Sequence, residues 1–224
     1  MSGVGTLNEK SLHAQLKAWY ARPGDRFEVP LDGYVIDLVR DDLLIEIQTR
    51  NFSAMRTKLD RLTADHPVRL VYPIAAVKWL TKLDDRGRPV GRRKSPKKGR
   101  SIDVFSELVS IPSLIERANF VLELLLIEEH EVRIYDPRRN RRRGGWSTHE
   151  RRLESVLESV VVRTPADVRR LTPALEDGWT TADLANEARV TRRLAQQAAY
   201  CLGKLDVVTQ TGKIGNAAVY AWTA

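Results

Sequence analysis

Asp37, followed after eight residues by Glu46-Ile47-Gln48, is the arrangement in this chain best suited to chemistry. The runs Gly33-Tyr-Val-Ile-Asp37-Leu-Val and Leu43-Leu-Ile-Glu46-Ile-Gln48 read as two short strands joined by the turn Arg40-Asp41-Asp42. Side chains alternate along a strand, so Val35, Asp37 and Val39 share one face, and Leu44, Glu46 and Gln48 share one face of the partner. Two carboxylates and a carboxamide can thus converge among apolar neighbours. Burying that polarity is costly unless something binds it, and oxygen donors of this kind suit a divalent cation such as Mg²⁺. A cation there polarises a phosphoryl oxygen and lowers the pKa of an attacking water, the requirements of phosphodiester hydrolysis.

The surrounding elements must hold these residues in place. Residues 7–20 read as a helix with Leu12, Leu16 and Trp19 on one stripe. Residues 26–30 alternate as a short strand, closed by the Asp32-Gly33 turn. Residues 33–39 and 43–49 are the acid-bearing strands. Residues 52–64 form an amphipathic helix that buries Phe52, Met55, Leu59 and Leu62, and residues 68–72 form a further strand. Helix, three strands, helix, strand predicts an α/β fold, a mixed sheet flanked by helices. Residues 82–101 break this pattern and read as a loop or polar hairpin. Residues 101–128 return to helical periodicity through Leu108, Leu114, Ile115 and Leu122, before a strand at 130–135. Residues 150–163 fit a helix through Leu153, Val156 and Val160, and a strand through Val160-Val161-Val162.

The last sixty residues read as self-contained. A helix over 165–174 precedes a short one over 181–188, then the Arg189-Val190 turn, a third helix from Thr191 to about Leu205 and a hairpin over 207–222. Three helices and a hairpin describe a winged helix-turn-helix.

Asp37 with Glu46-Ile47-Gln48 resembles the PD-(D/E)xK nuclease signature, and the element order over residues 7–74 is similar to that superfamily's common core. The resemblance covers roughly the first third of the chain and implies a restriction-endonuclease-like core. It also implies that Asp37 and Glu46 bind Mg²⁺, with the main-chain carbonyl of Ile47 as an extra ligand. An acid on the first helix often completes such sites, and Glu9 is the candidate; it also stands three residues after Thr6, the spacing of a capping box. Gln48 stands where the family normally has Lys. Gln can orient a water but brings no positive charge. Arg56 and Lys58 flank the buried stripe of the following helix, so either can reach back toward the acids and stabilise charge on a scissile phosphate.

Charged residues make up 29% of the chain and the net charge is +8. That balance favours a polyanion, nucleic acid first and an acidic membrane surface second. One basic run carries Arg92, Arg93, Lys94, Lys97 and Lys98; a second carries Arg139, Arg141 and Arg142, beside Trp146, which can stack on a base or pack at a strand end. On the third C-terminal helix, Thr191, Arg192, Arg193, Gln196 and Gln197 are placed to read a major groove, with Lys213 at the wing tip on a phosphate. Winged helices also serve protein contact. The basic runs suit DNA and RNA equally.

Other classes find no support. The longest apolar run, 119–127, is too short to span a bilayer. No basic-then-apolar leader is visible. Cys201 is the only cysteine, which excludes an internal disulfide and fits a reducing, cytoplasmic setting. His13, His66, His130 and His149 lack zinc spacing, and no Gly-rich phosphate loop or serine elbow occurs. The expectation is a nuclease-like domain over 1–164 and a winged helix over 165–224, together cleaving DNA with Mg²⁺. The alternative is a catalytically degenerate DNA-binding or regulatory protein. Cutting both strands with one site per chain calls for a homodimer.

Overall fold

The computed structural model describes residues 7–84, 86–136 and 145–223, with the side chains of 7–11 outside that description. Strands β1 (Arg26–Leu31), β2 (Tyr34–Arg40) and β3 (Leu43–Ile47) form an antiparallel meander. β3 then pairs in parallel with β4 (Val68–Leu83), which carries the antiparallel β5 (Pro89–Lys94) at its far end. β4 pairs in parallel with β6 (Phe120–Tyr135), and β6 in antiparallel with β7 (Trp146–Val162), giving a seven-stranded mixed sheet.

Alternation along the strands decides which helix covers which face. Leu12, Leu16 and Tyr20 of α1 (Leu7–Tyr20) share a buried cluster with Leu38, Ile45, Ile47 and Val71. Leu59 and Leu62 of α2 (Arg56–Asp65) join Val39, Leu44 and Leu70 in the other cluster. The residues at 44 and 45, and at 70 and 71, thus point to opposite sides, with α1 on one face and α2 on the other. A 3-10 turn over Phe52–Met55 leads into α2.

One sequence expectation needs correction, and two that were left open resolve. Residues 101–128 are not one helical stretch: short turns and the four-residue α3 (Phe105–Leu108) lead into β6, which starts at Phe120. β6 is a strand buried on both faces, Leu122 and Leu124 in one cluster and Leu125 and Ile127 in the other. A two-sided strand shows a continuous apolar run, which mimics helical periodicity. Of the open readings, 82–101 is the hairpin, β4–β5 plus a short connection, and residues 150–162 are the strand.

The C-terminal elements are α4 (Pro165–Arg170), β8 (Trp179–Thr180), α5 (Thr181–Ala188), α6 (Arg192–Lys204), β9 (Val208–Ile214) and β10 (Ala217–Trp222), with sheet order β8-β10-β9. Their boundaries follow from caps. Thr164 with Asp167, and Thr180 with Asp183, form reciprocal capping boxes, and the Thr191 hydroxyl accepts from Leu194 N–H. α4 ends at Arg170, shorter than expected, because Pro173 disfavours helix in the residues before it. Leu184, Ala198, Cys201 and Leu202 continue the buried cluster that contains Leu70, Phe105, Leu108 and Leu122, so the two parts of the chain share a core. Cys201 is core as expected, its thiol pushed up to about 12 by burial. Among the described residues no helix is long and apolar enough to cross a membrane.

Candidate functional site

The β2–β3 ladder ends at Leu38↔Ile45, immediately before the two acids. From there side chains take over from the backbone. Ile47 N–H donates to Asp37 Oδ2 at 2.9 Å, and the main-chain N–H of Asp37 donates to the Glu46 carboxylate. The acids therefore sit where the strands part, each held by the other strand's backbone.

α1 supplies two further partners to Asp37. His13 Nε2 lies 3.0 Å from Oδ2, and Lys17 Nζ, which also pairs with Glu28, lies 3.8 Å from Oδ1. Burial opposes ionisation of Asp37, but the His13 and Ile47 contacts and the nearby Lys17 outweigh it and hold the carboxyl below the usual range. Glu46 differs. It is 3% exposed, and burial, helped by the Asp37 charge, pushes it up to about 7 against the pull of Lys58. Lys58 Nζ, on α2, lies 2.6 Å from Glu46 Oε1 and donates to the Val35 carbonyl at 2.7 Å. The contact with Oε1 is an ion pair; that oxygen has no aligned hydrogen-bond donor. One carboxylate firmly ionised beside one poised near neutrality is the pairing that acid–base and metal chemistry use.

The other expected residues divide. Lys58 reaches the acids, whereas Arg56 is exposed with Asp60 3.9 Å away. Gln48 gives its main-chain N–H to Val71 O and its side-chain Nε2 to the Arg50 carbonyl at 2.5 Å, so the carboxamide nitrogen braces the loop after β3. Ile47 commits its N–H to Asp37. Glu9 lies within α1, one turn before His13, its side chain outside the described residues. Sequence reasoning missed His13 and Lys17, although Glu9, His13 and Lys17 recur at the four-residue spacing of one helical stripe. Among the described residues no group of three or more His, Cys, Asp or Glu is gathered as a metal site.

A cleft of about 910 Å³ opens beyond the end of β3, from Thr49 past Tyr72 of β4 to the start of α6. Lys97, Lys98, Thr191, Arg193 and Gln197 line it, so the first basic run and the third C-terminal helix meet at one place. Gly99 makes this possible: its N–H donates to the Ala75 carbonyl, and a Cβ there would lie 2.7 Å from that oxygen. The remaining basic candidates lie elsewhere. Arg92 and Lys94 sit over the Trp79 ring, Arg93 is exposed on β5, Arg192 bonds the Thr181 hydroxyl, and Gln196 and Lys213 are exposed. Trp146 packs against Tyr135 under Lys82 and is a strand-end residue. Arg139, Arg141 and Arg142 lie outside the described residues.

A family model described as a domain of unknown function (DUF8091) matches residues 10–163. The chain belongs to the DUF8091 family. The DUF8091 span takes in all seven strands of the large sheet and both acids, and stops one residue before the Thr164 cap of α4. A protein of Treponema pallidum (strain Nichols), titled "Uncharacterized protein", is 30% identical over 184 residues, which is 81% of this chain and 73% of that one. No solved structure matches the chain.

Proposed function

We propose that this DUF8091 protein is a Mg²⁺-dependent endonuclease that hydrolyses phosphodiester bonds in DNA, on a restriction-endonuclease-like core followed by a winged helix. The observation that carries the reading is Lys58. In a signature that ends in Gln48 rather than Lys, an ammonium from α2 stands 2.6 Å from Glu46. It supplies the positive charge that the sequence motif lacks.

The donor set suits Mg²⁺. Asp37 and Glu46 offer carboxylate oxygens where β2 and β3 part, Ile47 adds a main-chain carbonyl, and Glu46 Oε1, 2.6 Å from Lys58, would be shared with the ion. A bound ion supplies phosphoryl polarisation and an acidified water. The chain's own residues do the rest. His13 and Lys17 hold Asp37 ionised, Lys58 offsets charge on the scissile phosphate, Glu9 assists from α1, and Gln48 orients water through its carbonyl oxygen. The winged helix holds the nucleic acid, and cleavage of both strands of a duplex would call for a homodimer. The protein works in the cytoplasm.

One set of contacts favours the alternative, a binding protein with a degenerate core. Asp37 is satisfied by α1 and Ile47, Glu46 is compensated by Lys58 from the other face, and Gln48 is tied to its loop. Incubation with supercoiled plasmid and single-stranded DNA, with Mg²⁺, Mn²⁺ or chelator, separates the two. Metal-dependent cleavage that vanishes in Glu46→Ala supports the nuclease. Salt-sensitive retention of DNA without cleavage under any condition supports the binding protein.

A further inference from the structure

Glu129 and Glu131, two apart on β6, share a face and are 0% and 6% exposed. Buried carboxylates persist only when paired. Arg151 of β7 grips Glu129 through Nε at 3.1 Å and Nη2 at 2.5 Å, and Lys78 of β4 lies 3.0 Å from it. Glu131 takes Lys78 at 3.1 Å, Arg133 Nε at 2.7 Å and the Thr148 hydroxyl at 3.0 Å. Two buried acids thereby fix three cations in the wall of the 910 Å³ cleft. A cation already fixed gives up little side-chain freedom when an anion arrives.

The facing wall is also cationic. Lys97, Lys98, Arg189 and Arg193 line it, and no ion pair is recorded for any of them among the described residues. Arg100 closes the corner, donating to the Ala188 carbonyl at 2.7 Å. Against these eight cations the lining holds one acid, Asp103, and that carboxylate already accepts the Arg100 N–H at 3.0 Å. Tyr72, Ile74, Val190 and Leu194 add a ring and apolar surface.

We propose that this cleft binds a single-stranded stretch of nucleic acid, its phosphates between the two cationic walls and its bases on Tyr72 and the apolar side chains. The cleft is open on one side, and its volume suits a few nucleotides of one strand. At the start of α6, Thr191, Arg193 and Gln197 line the same cleft, across from the sheet. The strand would leave the cleft at Thr49, one residue past Gln48, so the inference names the substrate form for the site proposed above and takes from that reading only that the ligand is nucleic acid.

The test is fluorescence anisotropy with a labelled oligonucleotide of roughly 12 residues, single-stranded or annealed to its complement, in chelator, over about 50–200 mM salt. The single strand is expected to bind about tenfold more tightly than the duplex. Lys98→Ala and Arg193→Ala, both exposed and so safe for folding, each weaken it several-fold and flatten the salt slope by about 0.7. Arg61→Ala, an exposed charge on α2 away from the cleft, changes nothing. Equal or tighter binding of the duplex, or affinity unchanged by both variants, overturns the proposal. Chelator keeps this result separate from cleavage: binding at these residues with an inactive enzyme leaves the cleft standing while the nuclease reading falls. Cleavage without such binding does the reverse.

Discussion

Replacing Glu46 by Gln should change how stability depends on pH more than it changes stability itself. Burial, aided by the Asp37 charge, lifts the Glu46 carboxyl from 4.5 to about 7. At about 1.36 kcal/mol per pH unit, that rise is worth roughly 3 kcal/mol. Because the folded-state value is the higher one, the folded chain binds the proton more tightly. The contribution is fully present below about pH 4.5 and is lost as pH rises through about 7. Roughly 2.5 kcal/mol of it falls between pH 5 and 8. Gln does not titrate, so Glu46→Gln relative to wild type should be more favourable at pH 8 than at pH 5 by that amount. The unpaired Lys58 in the variant costs the same at both values and cancels from the difference. Urea unfolding of both proteins at the two pH values, in chelator, reads it directly. Parallel pH dependence in the two proteins would refute the account of a buried, poorly compensated carboxyl.

Adding Mg²⁺ to wild type should stabilise it more at pH 8 than at pH 5, since the ion competes with the proton for Glu46; equal thermal shifts at both values would count against the metal site. Lys58→Met removes the cation facing Glu46, so the carboxyl should titrate above its present value of about 7 in NMR, with cleavage lost. Asp37→Ala should abolish cleavage and leave gel-shift affinity largely intact, and equal loss of both would make Asp37 structural. Gln48→Lys should be tolerated or raise the rate of plasmid cleavage, and full inactivation would give Gln48 a required role of its own. Glu129→Ala removes the fully buried carboxylate that holds Arg151 and Lys78 and should cost about 3 kcal/mol in denaturation, and a change under about 1 kcal/mol would contradict the paired network.

The first half of the fold was legible because its elements are short and bounded by turn signals such as Asp32-Gly33 and Arg40-Asp41-Asp42, even though β3 is buried on both faces. Leu12 and Leu16 at helical spacing leave a pattern that a period can detect. β6 showed only its end, 130–135, since both faces of its first half are buried, and β4 runs for 16 residues where only 68–72 was expected. The C-terminal helices start at the caps Thr164, Thr180 and Thr191, close to the bounds their periodicity gave. At the site, helical phase brought Lys58 toward Glu46, whereas strand alternation grouped Asp37 with Val39, and Asp37 instead meets α1 while Val39 packs on the α2 side. His13 and Lys17 were not legible, because nothing local says which face of α1 meets Asp37. The cleft was beyond the sequence: it needs Glu129, Arg151 and Lys78 from three strands and α6 from the far end of the chain.

The shared core has a mechanical consequence. α6 packs on α3, and Arg100 clasps the carbonyls that end α5. The helix that lines the cleft and the strands that carry the acids should therefore unfold as one cooperative unit. Free energy released by an anion at Arg193 stabilises every element in that unit. Amide protons of β3, far from any phosphate, should exchange more slowly once the cleft is filled, and the acid pair would register a bound strand before touching it.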